Sequence, residues 1–159
     1  MRYINILPIA MLCALCTACS SDNDDRDMQP PVISTDGIVA NPVDCQVYHR
    51  GDTIPFAYVF TDDHELGNFQ IEVHSNADHH NHAGAAGACQ FDEDSEPVNP
   101  WHYNPDTPFT IPEGLKHYEA RMLIAIPDSV DTGDYHFSIR LYDRVGWSAH
   151  LPISIKIAE

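Results

Sequence analysis

The sequence predicts an all-β protein, an immunoglobulin-like antiparallel β-sandwich of six to seven strands. Two observations carry that expectation. Apolar residues recur at every second position in segment after segment, the period of a strand with one buried face. Turn residues break those segments at regular spacing, and no convincing amphipathic helical stretch interrupts them. A closed barrel is the alternative, disfavoured because the chain offers too few even strands.

The 159 residues have room for one domain with a real core. Residues 1–18 read as a lipoprotein signal peptide: Arg2 supplies the positive start, and "INILPIAMLCALCTA" is apolar but too short to span a bilayer. Thr17 and Ala18 before Cys19 resemble a bacterial lipobox, in which the cysteine becomes the lipidated first residue. Cys16 stands where leucine is usual, and Cys13 and Cys16 themselves fit worse because Leu12 and Leu15 precede them. An ordinary secretory signal is the alternative. Residues 19–31 form an acidic, Pro-ended tether. Its run of Asp22, Asp24, Asp25 and Asp27 resembles a surface-export signal of some Gram-negative lipoproteins. The expected location is therefore the outer membrane, lipid-anchored and exposed at the cell surface.

The sandwich occupies residues 32–159. A first strand lies around "PPVIS". "GDTIPFAYVFTD" (residues 51–62) is apolar on both faces, as a doubly buried central strand is. "NFQIEVH" turns Phe69, Ile71 and Val73 inward, with Gln70, Glu72 and His74 outward. "HYEARMLIAIP" places Tyr118, Ala120, Met122, Ile124 and Ile126 on one face. "GDYHFSIRLYD" buries Tyr135, Phe137, Ile139 and Leu141, leaving His136, Ser138, Arg140 and Tyr142 outside. After the "DRVG" turn, "WSAHLPISIKI" aligns Trp147, Ala149, Leu151, Ile153, Ile155 and Ile157, and Pro152 argues for an edge strand. The expected core holds Phe56, Tyr58, Phe69, Ile71, Val73, Ile124, Tyr135, Phe137, Ile139, Leu141 and Trp147. A His/Gly/Ala-rich and acidic insertion near residues 75–115 has no strand pattern.

The formal charge is −16, and loss of Arg2 with the signal makes it −17. Such a surface is repelled by nucleic acid and by anionic lipid headgroups, so membrane association rests on the lipid anchor. Cys45 and Cys89 remain in an oxidising compartment, which favours a disulfide. The alternative makes Cys89 a thiolate ligand beside His80 and His82.

Four of the ten histidines, His74, His79, His80 and His82, crowd into "HSNADHHNH". Neutral imidazole is a good ligand for zinc and copper, so the cluster suggests a transition-metal site; the bland reading is a solvated loop. Strand direction sharpens the suggestion. The strand ending at His74 and the strand starting near Gly133 are expected as antiparallel neighbours, which sets His74 beside His136 on a solvent face. Two of His79, His80 and His82 then complete the site. His117 and His150 belong nearer the other end.

Other motifs point less far. The "DEDSE" run (residues 92–96) lacks the glycine and spacing of an EF-hand and reads as a solvated acidic loop. Trp101 and Tyr103 could form a sugar-stacking platform or pack over the sandwich end. Enzyme signatures are missing, so catalysis is not expected; a metal hydrolase with Glu72 as base is a remote reading. The order of lipobox, "GDTI", "TDDHELGNFQIEVH", "HHNH" and "TGDYHFSIRLYDRVG" resembles the lipoproteins catalogued as domain of unknown function 4625. That resemblance implies an Ig-like surface or periplasmic lipoprotein with no assigned catalytic residue. The functional expectation is a lipoprotein that binds zinc or copper, the alternative a non-enzymatic adhesion module for a glycan or protein.

Overall fold

The computed structural model describes residues 26–80 and 89–159, and every regular element there is a β-strand. The signal peptide, Cys19 and His82 lie outside the described residues. The strands are β1 (Val32–Ser34), β2 (Gln46–His49), β3 (Thr53–Thr61), β4 (Leu66–Ser75), β5 (Phe109–Thr110), β6 (His117–Ala125), β7 (Gly133–Asp143) and β8 (Ser148–Ala158). They form two sheets, ordered β1-β3-β6 and β2-β8-β7-β4-β5.

Period-2 alternation explains how the sheets meet. Ile54, Phe56, Tyr58 and Phe60 of β3 face Phe69, Ile71 and Val73 of β4 and Tyr135, Phe137, Ile139 and Leu141 of β7, all buried in one core. Phe56 stacks on Phe69 and Phe137 across the gap, with ring centres 6.2 and 6.1 Å apart. Ala57 and Val59 on the other face of β3 are buried too, as expected of the middle strand in its sheet.

The strand count is eight rather than six or seven. β2 and β5 are short, and β2 buries only Tyr48, so neither leaves an alternating signature. The pairing is antiparallel except between β2 and β8, which run parallel. Pro152 shows why β8 carries an edge signal inside its sheet. β2 covers only Ile155–Ala158, so the earlier half of β8 is paired on the β7 side alone.

Trp147 corrects the expected core. It precedes β8 and is 44% exposed. The Asp143 carboxylate accepts the backbone N–H groups of Val145, Gly146 and Trp147, closing a turn before the alternation of β8 begins. Parity counted back from β8 therefore does not apply at Trp147. At the same end, a register shift between Leu66 and Asn68 seats β4 closely against β7. A Cβ at Gly67 would stand 2.6 Å from the Asp143 carbonyl oxygen, so only glycine fits there.

Candidate metal centre on the outer sheet face

β4 and β7 pair in the register that sets His74 directly opposite His136, with ring centres 5.4 Å apart. Their neighbours Val73 and Phe137 point into the core, so alternation turns both imidazoles to the outer face. The expected face is correct, but it is not open to solvent, because His136 is only 3% exposed.

The chain after β4 supplies the roof. Asn76 N–H donates to the Asp134 carbonyl, and His79 N–H donates back to the Asn76 carbonyl, forming a tight turn. His79 closes it with a φ of 48°, in the left-handed region, and so separates its own side chain from that of His80. His80 folds back over the pair. Its ring centre lies 5.4 Å from that of His74 and 5.1 Å from that of His136, and its carbonyl accepts a hydrogen bond from His136 Nε2 at 3.1 Å. His74, His80 and His136 thus form a triangle of imidazoles.

Carboxylates set the orientation of two of these rings. Glu72 Oε1 lies 3.3 Å from His74 Nδ1, and Asp78 Oδ1 lies 2.5 Å from His80 Nδ1. The His80 hydrogen bond holds the Asp78 carboxyl below its ordinary range. For His80 the hydrogen-bonded carboxylate favours a proton on Nδ1 and a lone pair on Nε2, whereas Glu72 stands at ion-pair distance from His74 Nδ1 without a hydrogen bond to it and leaves the tautomer of that ring open. The Nε2 atoms of His74 and His80 face each other at 3.2 Å. Two imidazoles on one tetrahedral zinc, each at about 2.05 Å, would stand about 3.3 Å apart.

His79 is held elsewhere. Its Nδ1 lies 2.6 Å from Asp94 and its Nε2 3.4 Å from Asp134, with the ring against Phe91. Asp134 also accepts the Asp92 N–H, and Lys156 reaches Asp92 at 2.7 Å and Asp134 at 3.6 Å. The Asp92 hydrogen bond makes the Lys156 ammonium harder to deprotonate. Asp92 and Asp94 of the acidic run thus make ion pairs while staying exposed to solvent, as expected of a solvated acidic loop. Cys45 and Cys89 form a disulfide, so Cys89 is not a thiolate ligand. Cys45 N–H donates to the carbonyl of Ser154, the residue opposite His136 on β8. The bridge therefore ties the far end of the histidine loop to the same sheet, close to the triangle.

The remaining candidates fall outside this site. His150 begins nearer the other end of β8, although its Nε2 reaches Ser138 Oγ at 2.5 Å. Trp101 is buried against Tyr135, and Tyr103 pairs its backbone with Val73. That loop packs over the sandwich and offers no open platform of two aromatics. Sequence reasoning expected the loop after His74 to fold back over the pair, and His80 does so; it did not single out His80, because that choice depends on a turn with one left-handed residue. It also missed a group of carboxylates at the opposite end of β7, whose members Asp27, Asp62 and Asp143 are far apart in the chain.

Comparison with known proteins adds a family and no activity. No curated protein matches the chain. The family described as a domain of unknown function, DUF4625, matches residues 17–158, nearly the whole length, and the chain belongs to that family.

Proposed function

We propose that this protein is a lipid-anchored lipoprotein, carried on Cys19 at the outer membrane, that binds a transition metal, zinc or copper, through His74, His80 and His136. One observation carries the metal reading: two Nε2 atoms 3.2 Å apart, each on a ring whose Nδ1 lies by a carboxylate. With the His80 lone pair on Nε2, a cation between the two atoms would take up both Nε2 lone pairs and displace the proton that otherwise joins the rings. Carboxylate–imidazole pairs are the usual outer support of a metal-bound histidine, since they fix ring orientation and raise ligand basicity. His136 joins by exchanging its hydrogen bond to the His80 carbonyl for the metal, or by offering Nδ1. His82, a few residues along the same loop, is the candidate fourth ligand.

The arrangement favours binding over catalysis. Glu72 is engaged with His74 Nδ1, the position of an orienting group rather than of a base aimed at substrate. The disulfide and the Lys156–Asp92–Asp134 contacts hold the far flank of the loop and the Asn76 N–H on the Asp134 carbonyl holds the near one, which limits the entropy lost when the ligands converge.

Calorimetric titration of the purified chain with zinc and with copper tests this reading. The double variant His74→Ala, His136→Ala should lose roughly 100-fold or more in affinity, because two ring ligands are removed. Affinity unchanged from the parent would mean that the loop histidines act alone, and would sink the proposed site.

A further inference from the structure

Asp27, Asp62 and Asp143 come together at the opposite end of β7 from the histidines, about 23 Å away at roughly 3.3 Å per residue. Asp27 lies just before β1, Asp62 follows β3, and Asp143 ends β7. One ligand oxygen from each falls within 4.8 Å of the other two. Asp27 and Asp143 are 6% and 4% exposed, so these are buried carboxylates rather than a solvated acidic patch.

Each carboxylate divides its two oxygens in the same way. Oδ1 accepts from nearby backbone N–H groups: Gln29 for Asp27, His64 and Glu65 for Asp62, and Val145, Gly146 and Trp147 for Asp143. Oδ2 of all three is buried and accepts no hydrogen bond. Two neighbouring cations, Arg144 and Lys116, are engaged elsewhere. Arg144 reaches Glu65 and Glu113, and Lys116 donates to the Asp63 carbonyl. Three buried carboxylate oxygens converge there with no donor among the described residues, an arrangement that a bound cation would neutralise.

We propose that Asp27, Asp62 and Asp143 form a calcium site that fastens the segment before β1 to the end of the sandwich. The donor set is all oxygen and carries up to three negative charges, which suits a hard cation. Calcium takes six to eight oxygens at about 2.3–2.6 Å in adaptable geometry, so its ligand oxygens can spread to about 4.8 Å, whereas magnesium holds to a tighter octahedron. Asp63 and His64 flank the site and share Asp27 as a neighbour. Asp27 is the hinge of the proposal, because it comes from the tether and otherwise holds to the sandwich through Trp147 Nε1 on its carbonyl at 3.3 Å. Calcium would add a charged clamp to that contact.

The test uses the full chain purified in detergent, with calcium, magnesium or a chelator, and with terbium as a luminescent stand-in for calcium. Trp147 donates to Asp143 and to Asp27, so it is placed to sensitise terbium emission. Calcium should raise the melting temperature reversibly and more than equal magnesium does. It should also slow tryptic cleavage after Arg26, the bond beside the clamp, and displace terbium. The conservative variant Asp27→Asn keeps the shape and the Oδ1 acceptor while removing one ligand charge. It should bind calcium roughly tenfold or more weakly, since ligand charge count sets affinity at such sites. The variant His74→Ala, His136→Ala should keep the full calcium response, which separates this site from the transition-metal proposal. A melting temperature and an Arg26 cleavage rate indifferent to millimolar calcium would overturn the proposal, and so would parental affinity in Asp27→Asn.

Discussion

Phe137 has no exposed surface and stacks on Phe56 of the facing sheet, so it belongs to the layer where the two sheets meet. Phe137→Ala should cost about 3–5 kcal/mol in a denaturant titration, the usual range for a fully buried phenylalanine. A cost near zero would mean that the cavity collapses without loss or that the inward face is misassigned. Tyr48 and Tyr58 behave differently because each buries a hydroxyl. Burial pushes both up to about 12, while Tyr48 donates to Asn41 and Tyr58 to the Pro42 carbonyl. The unfolded chain ionises its tyrosines near 10, so the folded state holds these protons more tightly. The resulting stability is fully present below about pH 10 and is lost as pH rises toward 12. Burial also pushes Tyr103 and Tyr135 up, so phenolate absorbance should show late-titrating tyrosines, Tyr48 and Tyr58 among them, whose ionisation coincides with unfolding. Early titration of all seven tyrosines would refute the burial of these two. At this scale the sequence is legible wherever a strand sets the parity, as at Phe137. It is illegible at Trp147, where a turn centred on Asp143 resets it.

Among elements, the β4–β7 pair decides the candidate site. Its register places His74 opposite His136, a placement readable from two alternating strands and the expectation that they run antiparallel. The third imidazole belongs to the following segment, and that segment is held at its far side by the Cys45–Cys89 bridge. Closing a loop of 44 residues contributes about 4 kcal/mol on the chain-entropy estimate. Reductant, or the double variant Cys45→Ser, Cys89→Ser, should lower urea stability by about that amount and weaken zinc binding as well. Stability lost with zinc affinity intact would show that the bridge serves the fold and not the loop. The pairing of two cysteines was legible from compartment and count. That the loop returns over the pair was legible too, but that His80 and not His79 does the capping was not, because it depends on a left-handed residue at position 79 that composition does not announce.

For the whole molecule, the two candidate ion sites lie at opposite ends of one strand and differ in chemistry, imidazole at one and carboxylate at the other. A formal charge of −16 would draw cations toward either end. Asp27 links the carboxylate end to the segment that follows Cys19, so the anchor proposal belongs to this scale. Cys19→Ala should leave the precursor unprocessed or release the protein from membranes, as measured by fractionation and by the mass of the N-terminus. Normal processing with full membrane retention would exclude lipidation at Cys19.

The alternation of β3, β4, β6 and β7, the two cysteines left beyond residues 1–19, and the direction of neighbouring strands are local or nearly local properties, and the sequence by itself determined them. They were enough for an all-β sandwich, its core, the disulfide and the His74–His136 pair. Tertiary structure alone decided the rest. Which loop histidine joins the pair depends on one turn, and the convergence of Asp27, Asp62 and Asp143 depends on three segments separated by 35 and 81 positions meeting at one sheet end. Contacts of that separation follow from how whole sheets stack, and no period along the chain encodes them.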